Sequence, residues 1–154
     1  MSDALRVLDG VMRLADLVQR DAAESFAGTG LTTSRAHLLW VVHHAGPSTQ
    51  QSLAAALAVT PRNITGLVDA LESAGYVERA PHPSDRRAIL VTLTALGERT
   101  AREMSAQREQ LASDLVAGLD EAEQRALATR LDRLSERFEA LVAAARSSPH
   151  VQES

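Results

Sequence analysis

The stretch TPRNITGLVDALESAG (60–75) leaves little freedom about how it folds. Thr60 offers a side-chain oxygen to the free N–H groups at a helix start, and Pro61 falls at the first helical position, where a missing N–H is harmless. Ile64, Leu67, Val68 and Leu71 then recur at i, i+3, i+4 and i+7, which gathers them on one face. Gly75 stops the pattern where a helix favours glycine. A helix with a single apolar stripe must bury it, and its flanks show against what. Upstream, STQQSLAAALAV gives a shorter helix started by Ser48 or Thr49, with Leu53, Ala56 and Leu57 turned inward. Downstream, YVERA (76–80) and AILVTL (88–93) read as strands, the second setting Ile89, Val91 and Leu93 against Leu90 and Thr92. Two short helices, a tight turn and a hairpin make a winged helix-turn-helix. The expected fold is mainly α with a small β-hairpin.

Longer helices flank this unit. From Ala4 to about Ala27, Leu5, Leu8, Met12, Ala15 and Val18 lie near helical spacing, and GTG (28–30) ends the run. LTTSRAHLLWVVHHAGP then supplies Thr32 or Thr33 as a cap, an apolar helix through Leu38, Leu39, Val41 and Val42, and a Gly46–Pro47 stop. After the hairpin, Thr94 caps a helix running to about Ala117. Asp120 and Glu123 then have the spacing of a capping box. Beyond them Leu127, Leu131, Leu134, Phe138, Leu141 and Ala145 step by four and three, a coiled-coil-like seam. The expected organisation is an N-terminal dimerisation helix (1–30), the winged unit (31–97), C-terminal dimerisation helices (98–146) and a flexible tail (147–154). The seam is longer than a small reader domain can cover, so isologous pairing in a homodimer is expected.

Composition narrows the function. A chain of 154 residues holds one domain with a core, and its lack of cysteine removes disulfides and thiolate metal sites. No apolar run is long enough for a bilayer, and MSDALRVLDG has no signal-peptide pattern, so a cytoplasmic protein is expected, with no membrane partner. No phosphate-cradling loop, nucleophile elbow or carboxylate pair stands out, so neither an enzyme nor a cofactor is expected. All 16 basic residues are arginine, and every phosphate contact must therefore use a planar guanidinium.

With Ile64, Leu67, Val68 and Leu71 buried, the outer face of the second short helix presents Arg62, Asn63, Thr65, Gly66 and Asp69. Arginine can pair with guanine, asparagine with adenine, and threonine with either edge or a thymine methyl. Gln50, Gln51 and Thr60 at the two helix starts complete the set expected to face double-stranded DNA. The loop HPSDRR (82–87) holds out Arg86 and Arg87, candidates for the minor groove, with Asp85 placed to pair with Arg87 and hold its direction. The plainer reading is a solvated helix face and a charged turn. Charge does not decide between them: from Gln50 to Leu93 the arginines 62, 79, 86 and 87 are balanced by acids 69, 72, 78 and 85, inside a chain of net charge −4.

The run from Leu31 to Gly97, above all GYVERAPHPSDRRAILVTLTALG, resembles the MarR family of bacterial transcription regulators. The Asp-x-Arg of its wing is matched at Asp85 and Arg87, and its Leu-Thr helix entry at Leu93–Thr94. The resemblance implies a triangular dimer interlocked through the first and last helices. It also implies a pseudo-palindromic operator, usually repression, and release by a small-molecule effector. The implied effector site lies between the dimerisation helices and the DNA-binding lobe, where Phe26, His37, Trp40 and His44 are candidates. The last three share a helix face at i, i+3 and i+7, and a core tryptophan with partly exposed histidines explains them equally well. Zinc sensing by these histidines with Glu24 is a lesser alternative, and no metal site is expected. Gly66 and Ala70 depart from the family, which often has a basic or larger polar residue there. They keep open a second reading: a winged-helix dimer without DNA binding, serving as a ligand-binding or protein-interaction module.

Overall fold

The computed structural model describes residues 2–85 and 88–147. Its elements are α1 (Asp3–Ser25), α2 (Thr33–Ala45), β1 (Ser48–Thr49), α3 (Gln50–Ala56), α4 (Pro61–Ser73), β2 (Val77–Pro81), β3 (Ile89–Leu93), α5 (Ala95–Leu115) and α6 (Glu121–Ser147). The chain divides into two compact units, Met1–Gln107 and Arg108–Ser154.

In the first unit, threonine hydroxyls start α2, α3 and α4. Thr32 accepts from the Arg35 N–H at 3.4 Å, Thr49 from Ser52 at 3.2 Å and Thr60 from Asn63 at 3.2 Å. The core gathers Leu38, Leu39 and Val42 of α2, Leu53 of α3, Ile64, Val68 and Leu71 of α4, and Val77 and Val91 of the strands. The α4 stripe is thus buried as its spacing predicts, with Leu67 half-buried at its edge. Tyr76 is buried as well and donates its hydroxyl to the Thr29 carbonyl at 2.8 Å.

The expected hairpin forms between β2 and β3, and β1 joins it in a three-stranded antiparallel sheet of order β1-β3-β2. Ser48 pairs with Val91 and Thr49 with Leu90, so Ser48 is strand and only Thr49 caps α3. On α3 the buried alanine is Ala54, not Ala56, which is exposed. Successive helical side chains diverge by about 100°, and Ala54 falls on the side that packs into the core with Leu53.

The strand-to-helix corner is tightly tied. Thr94 Oγ1 donates to the Gly75 carbonyl at 2.6 Å and accepts the Gly97 N–H at 3.1 Å, while the Thr94 N–H donates to the Tyr76 carbonyl at 3.1 Å. A Cβ at Gly97 would lie 1.9 Å from the Tyr76 oxygen, so only glycine fits where α5 begins. α1, also in this unit, buries no residue, and Leu5, Leu8, Val11, Met12 and Leu17 stand exposed.

In the second unit the capping box forms. Asp120 Oδ1 accepts the Glu123 N–H at 2.9 Å, and Glu123 Oε2 accepts the Asp120 N–H at 2.9 Å. The α6 seam is open: Leu127, Leu131, Leu134, Phe138 and Leu141 are 42–67% exposed. Among the described residues, no helix is long and apolar enough to cross a membrane.

Candidate nucleic-acid interface

The outer face of α4 is polar and largely uncommitted. Arg62 and Asn63 are exposed in its first turn, and neither side chain has a hydrogen-bonding or ionic partner among the described residues. Thr60 is partly spent, because its hydroxyl caps the helix. Thr65 Oγ1 lies 2.9 Å from the Pro61 carbonyl and 3.0 Å from Gln50 Oε1, which ties the outer face of α4 to the start of α3. Gln50, Gln51 and Thr65 border one open notch of about 550 Å³ between α3 and α4. The structure therefore brings six of the predicted residues (50, 51, 60, 62, 63 and 65) to the two helix starts. Gly66 is also exposed there, and a Cβ on it would meet nothing within 4 Å.

Asp69, read as part of the same face, is otherwise engaged. Arg79 of β2 reaches α4 with both arms, Nη2 to Asp69 Oδ1 at 2.5 Å and Nη1 to Glu72. The Arg79 N–H donates to Glu72 Oε1 at 3.2 Å. The Asp69 hydrogen bond, aided by the charge of Glu72, holds the guanidinium pKa above its ordinary value against a smaller opposing effect of burial. In the sequence, Arg79 stands out only as one of the four positive charges between Gln50 and Leu93. The available signal was an acid pair at i and i+3 on α4, followed at once by a strand carrying arginine.

In the wing, β2 and β3 pair from Val77–Leu93 to Pro81–Ile89. The Ala88 N–H donates to the Asp85 carbonyl at 3.0 Å, and Asp85 is exposed. Arg86 and Arg87 lie outside the described residues, and with them the expected pairing of Asp85 with Arg87. His82, which no spacing in the sequence singles out, sits at the centre of the loop's hydrogen bonds.

The effector candidates divide. His37, Trp40 and His44 do share a face of α2: Trp40 is 6.3 Å from the His37 ring and 4.1 Å from the His44 ring, centroid to centroid. His44 Nδ1 also lies 2.9 Å from the Trp40 carbonyl. Phe26 instead packs half-buried against the core beyond the end of α1. His43 contacts Glu98 of α5 at 3.1 Å, a pairing not anticipated. Among the described residues, no three His, Cys, Asp or Glu side chains are grouped to hold a metal ion.

A helix pair with an uncommitted polar face, braced by a three-stranded wing, defines the winged helix-turn-helix class. Comparison with known proteins carries this further. The profile described as MarR family matches residues 31–89. The regulator BilQ of Clostridium symbiosum is 30% identical over 106 residues, which cover 67% of this chain and 74% of that protein. An uncharacterized HTH-type regulator of Bacillus subtilis, YdgJ, is 31% identical over 108 residues, or 70% of this chain and 66% of its own length. The chain belongs to the MarR family and is a DNA-binding transcription regulator, not an enzyme. A probable transcriptional regulator from Pseudomonas aeruginosa superposes with TM-score 0.62 at 28% identity, over 82% of this chain and 96% of that one. Streptococcus pneumoniae FabT, solved in complex with DNA, shares the fold with TM-score 0.78 at 21% identity, over 90% of this chain and 99% of that one.

Proposed function

We propose that the chain works as a homodimeric repressor, each protomer reading one half of a pseudo-palindromic operator and releasing it when a small-molecule effector binds. The observation that carries this reading is the uncommitted pair Arg62 and Asn63 in the first turn of α4, beside the α3 start. That is where a recognition helix meets base edges in the major groove. Gln50, Gln51, Thr60 and Thr65 flank the pair, and Arg86 and Arg87 enter the minor groove with Asp85 orienting Arg87. The exposed apolar faces of α1 and α6 support dimerisation. The effector binds against the imidazole–indole face of α2 formed by His37, Trp40 and His44, with Phe26 as a further contact. A Pseudomonas putida relative named as the repressor NicR, 37% identical over 67 residues, supports repression.

The test is a gel shift on DNA upstream of the chain's own gene, comparing wild type with Arg62→Ala and Asn63→Ala. Each variant is expected to lose about 1–3 kcal/mol of binding and to relax its preference at particular base pairs. Equal losses on operator and random DNA would reduce both residues to phosphate contacts and remove the reading.

A further inference from the structure

The wing loop is organised around one ring nitrogen. His82 Nδ1 accepts the backbone N–H of Ser84 at 3.2 Å and of Asp85 at 3.1 Å, and the Ser84 hydroxyl lies 3.3 Å from it. Pro83 has no N–H, so these are the first two backbone donors that follow His82. The His82 N–H donates to the Ala88 carbonyl at 3.0 Å, closing the loop from the other side. The imidazole thus fills the place that an Asn or Asp side chain takes in an Asx turn. The chemistry differs in one respect. A ring nitrogen that accepts hydrogen bonds carries no proton, so the neutral ring keeps its hydrogen on Nε2. In the imidazolium both nitrogens are donors. Protonation at Nδ1 would set a ring N–H against two backbone N–H groups.

We propose that His82 is a positioning residue for the wing: neutral, it fixes the loop, and protonated, it releases it, so that DNA binding weakens in mild acid. This rests on the reading that the wing contacts DNA. Among the described residues of the wing, three besides the ring can carry charge. Asp85 lies in the same loop, and β2 carries Glu78 and Arg79, of which Arg79 is bound to α4. β3 (Ile89–Leu93) carries none, and by sequence Arg86 and Arg87 follow Asp85 outside the described residues. The sign of the effect discriminates. Coulomb attraction alone makes an added positive charge tighten DNA binding, whereas loss of the loop's anchor loosens it.

The experiment uses the full chain and a labelled duplex from the region upstream of its gene, titrated at constant ionic strength between about pH 8 and about pH 5.5, the span in which histidine changes charge. Wild type is expected to weaken on the order of tenfold across that span, the scale of two forfeited hydrogen bonds. His82→Asn restores a side-chain acceptor that does not titrate, and should bind like wild type at high pH with a flat profile. It keeps His37, His43, His44 and His150, so a flat profile assigns the wild-type change to His82. His82→Ala should bind weakly throughout. Wild-type affinity that holds or rises in acid overturns the proposal, as does an alanine variant that binds like wild type. Should no duplex bind at any pH, the DNA reading itself has failed, and amide NMR then decides for His82. Ser84 and Asp85 N–H signals must lose their shifts and protection in acid in wild type but not in His82→Asn. Amides indifferent to both pH and substitution reject the proposal.

Discussion

At Gly66 a helix carries its weakest former after proline, on an exposed face, with open space where a side chain would go. Neither packing nor a left-handed backbone requires glycine there. Gly66→Ala should therefore raise stability by about 1 kcal/mol through helix propensity alone. Denaturant melts measure this directly, and an unchanged or lowered midpoint would mean that the helix is strained at this point. Arg62 and Asn63 were legible in the sequence because an outer face follows by subtraction once the apolar stripe is assigned. Asp69 was not, since its partner sits on a different element and spacing within α4 cannot reveal it. Ala56 is turned inward by the sequence pattern in place of Ala54 for a related reason: Ala54, Ala55 and Ala56 are identical in kind, and no contrast marks which one is buried.

Among the elements, α4 and the wing strand β2 are tied together because Arg79 spans them. Its side chain is 24% exposed, while Asp69 and Glu72 are 58% and 38% exposed, so solvent screens part of the attraction. Arg79→Ala should cost about 1–2 kcal/mol of stability, the range of a two-armed pair that is only partly buried. Arg79→Lys should recover the charge without the planar fork and fall between the two. Urea unfolding of the three proteins orders them, and a lysine variant equal to wild type would show that charge alone matters. The long elements were legible in the sequence, since caps and periodicity act locally: Thr60–Pro61 for α4, and Asp120 with Glu123 for α6. β1 was not. Two residues have no period, and Ser48–Thr49 becomes a strand only through pairing with Val91 and Leu90, some forty residues away.

For the whole molecule, the open apolar faces of α1 and α6 are the dominant fact. Neither helix buries its stripe within the single chain, and exposed apolar surface on this scale marks an association site. In the proposed dimer, Leu134→Glu combined with Phe138→Glu should give monomers or unfolded chain. Sedimentation at micromolar concentration checks it, and a well-folded wild-type monomer would contradict the dimer altogether. The short strand β1 has a different consequence. Thr49 is its last residue and also the cap of α3, so no spacer separates a position locked to the sheet from the start of that helix. Helical phase advances by about 100° per residue. A single residue inserted after Thr49 would swing Gln50 and Gln51 off their bearing while the sheet stayed in place. Chimeras between relatives should therefore tolerate a splice at the exposed Gly118 turn, and a change of length at the Thr49–Gln50 joint should leave a folded protein that no longer recognises its site.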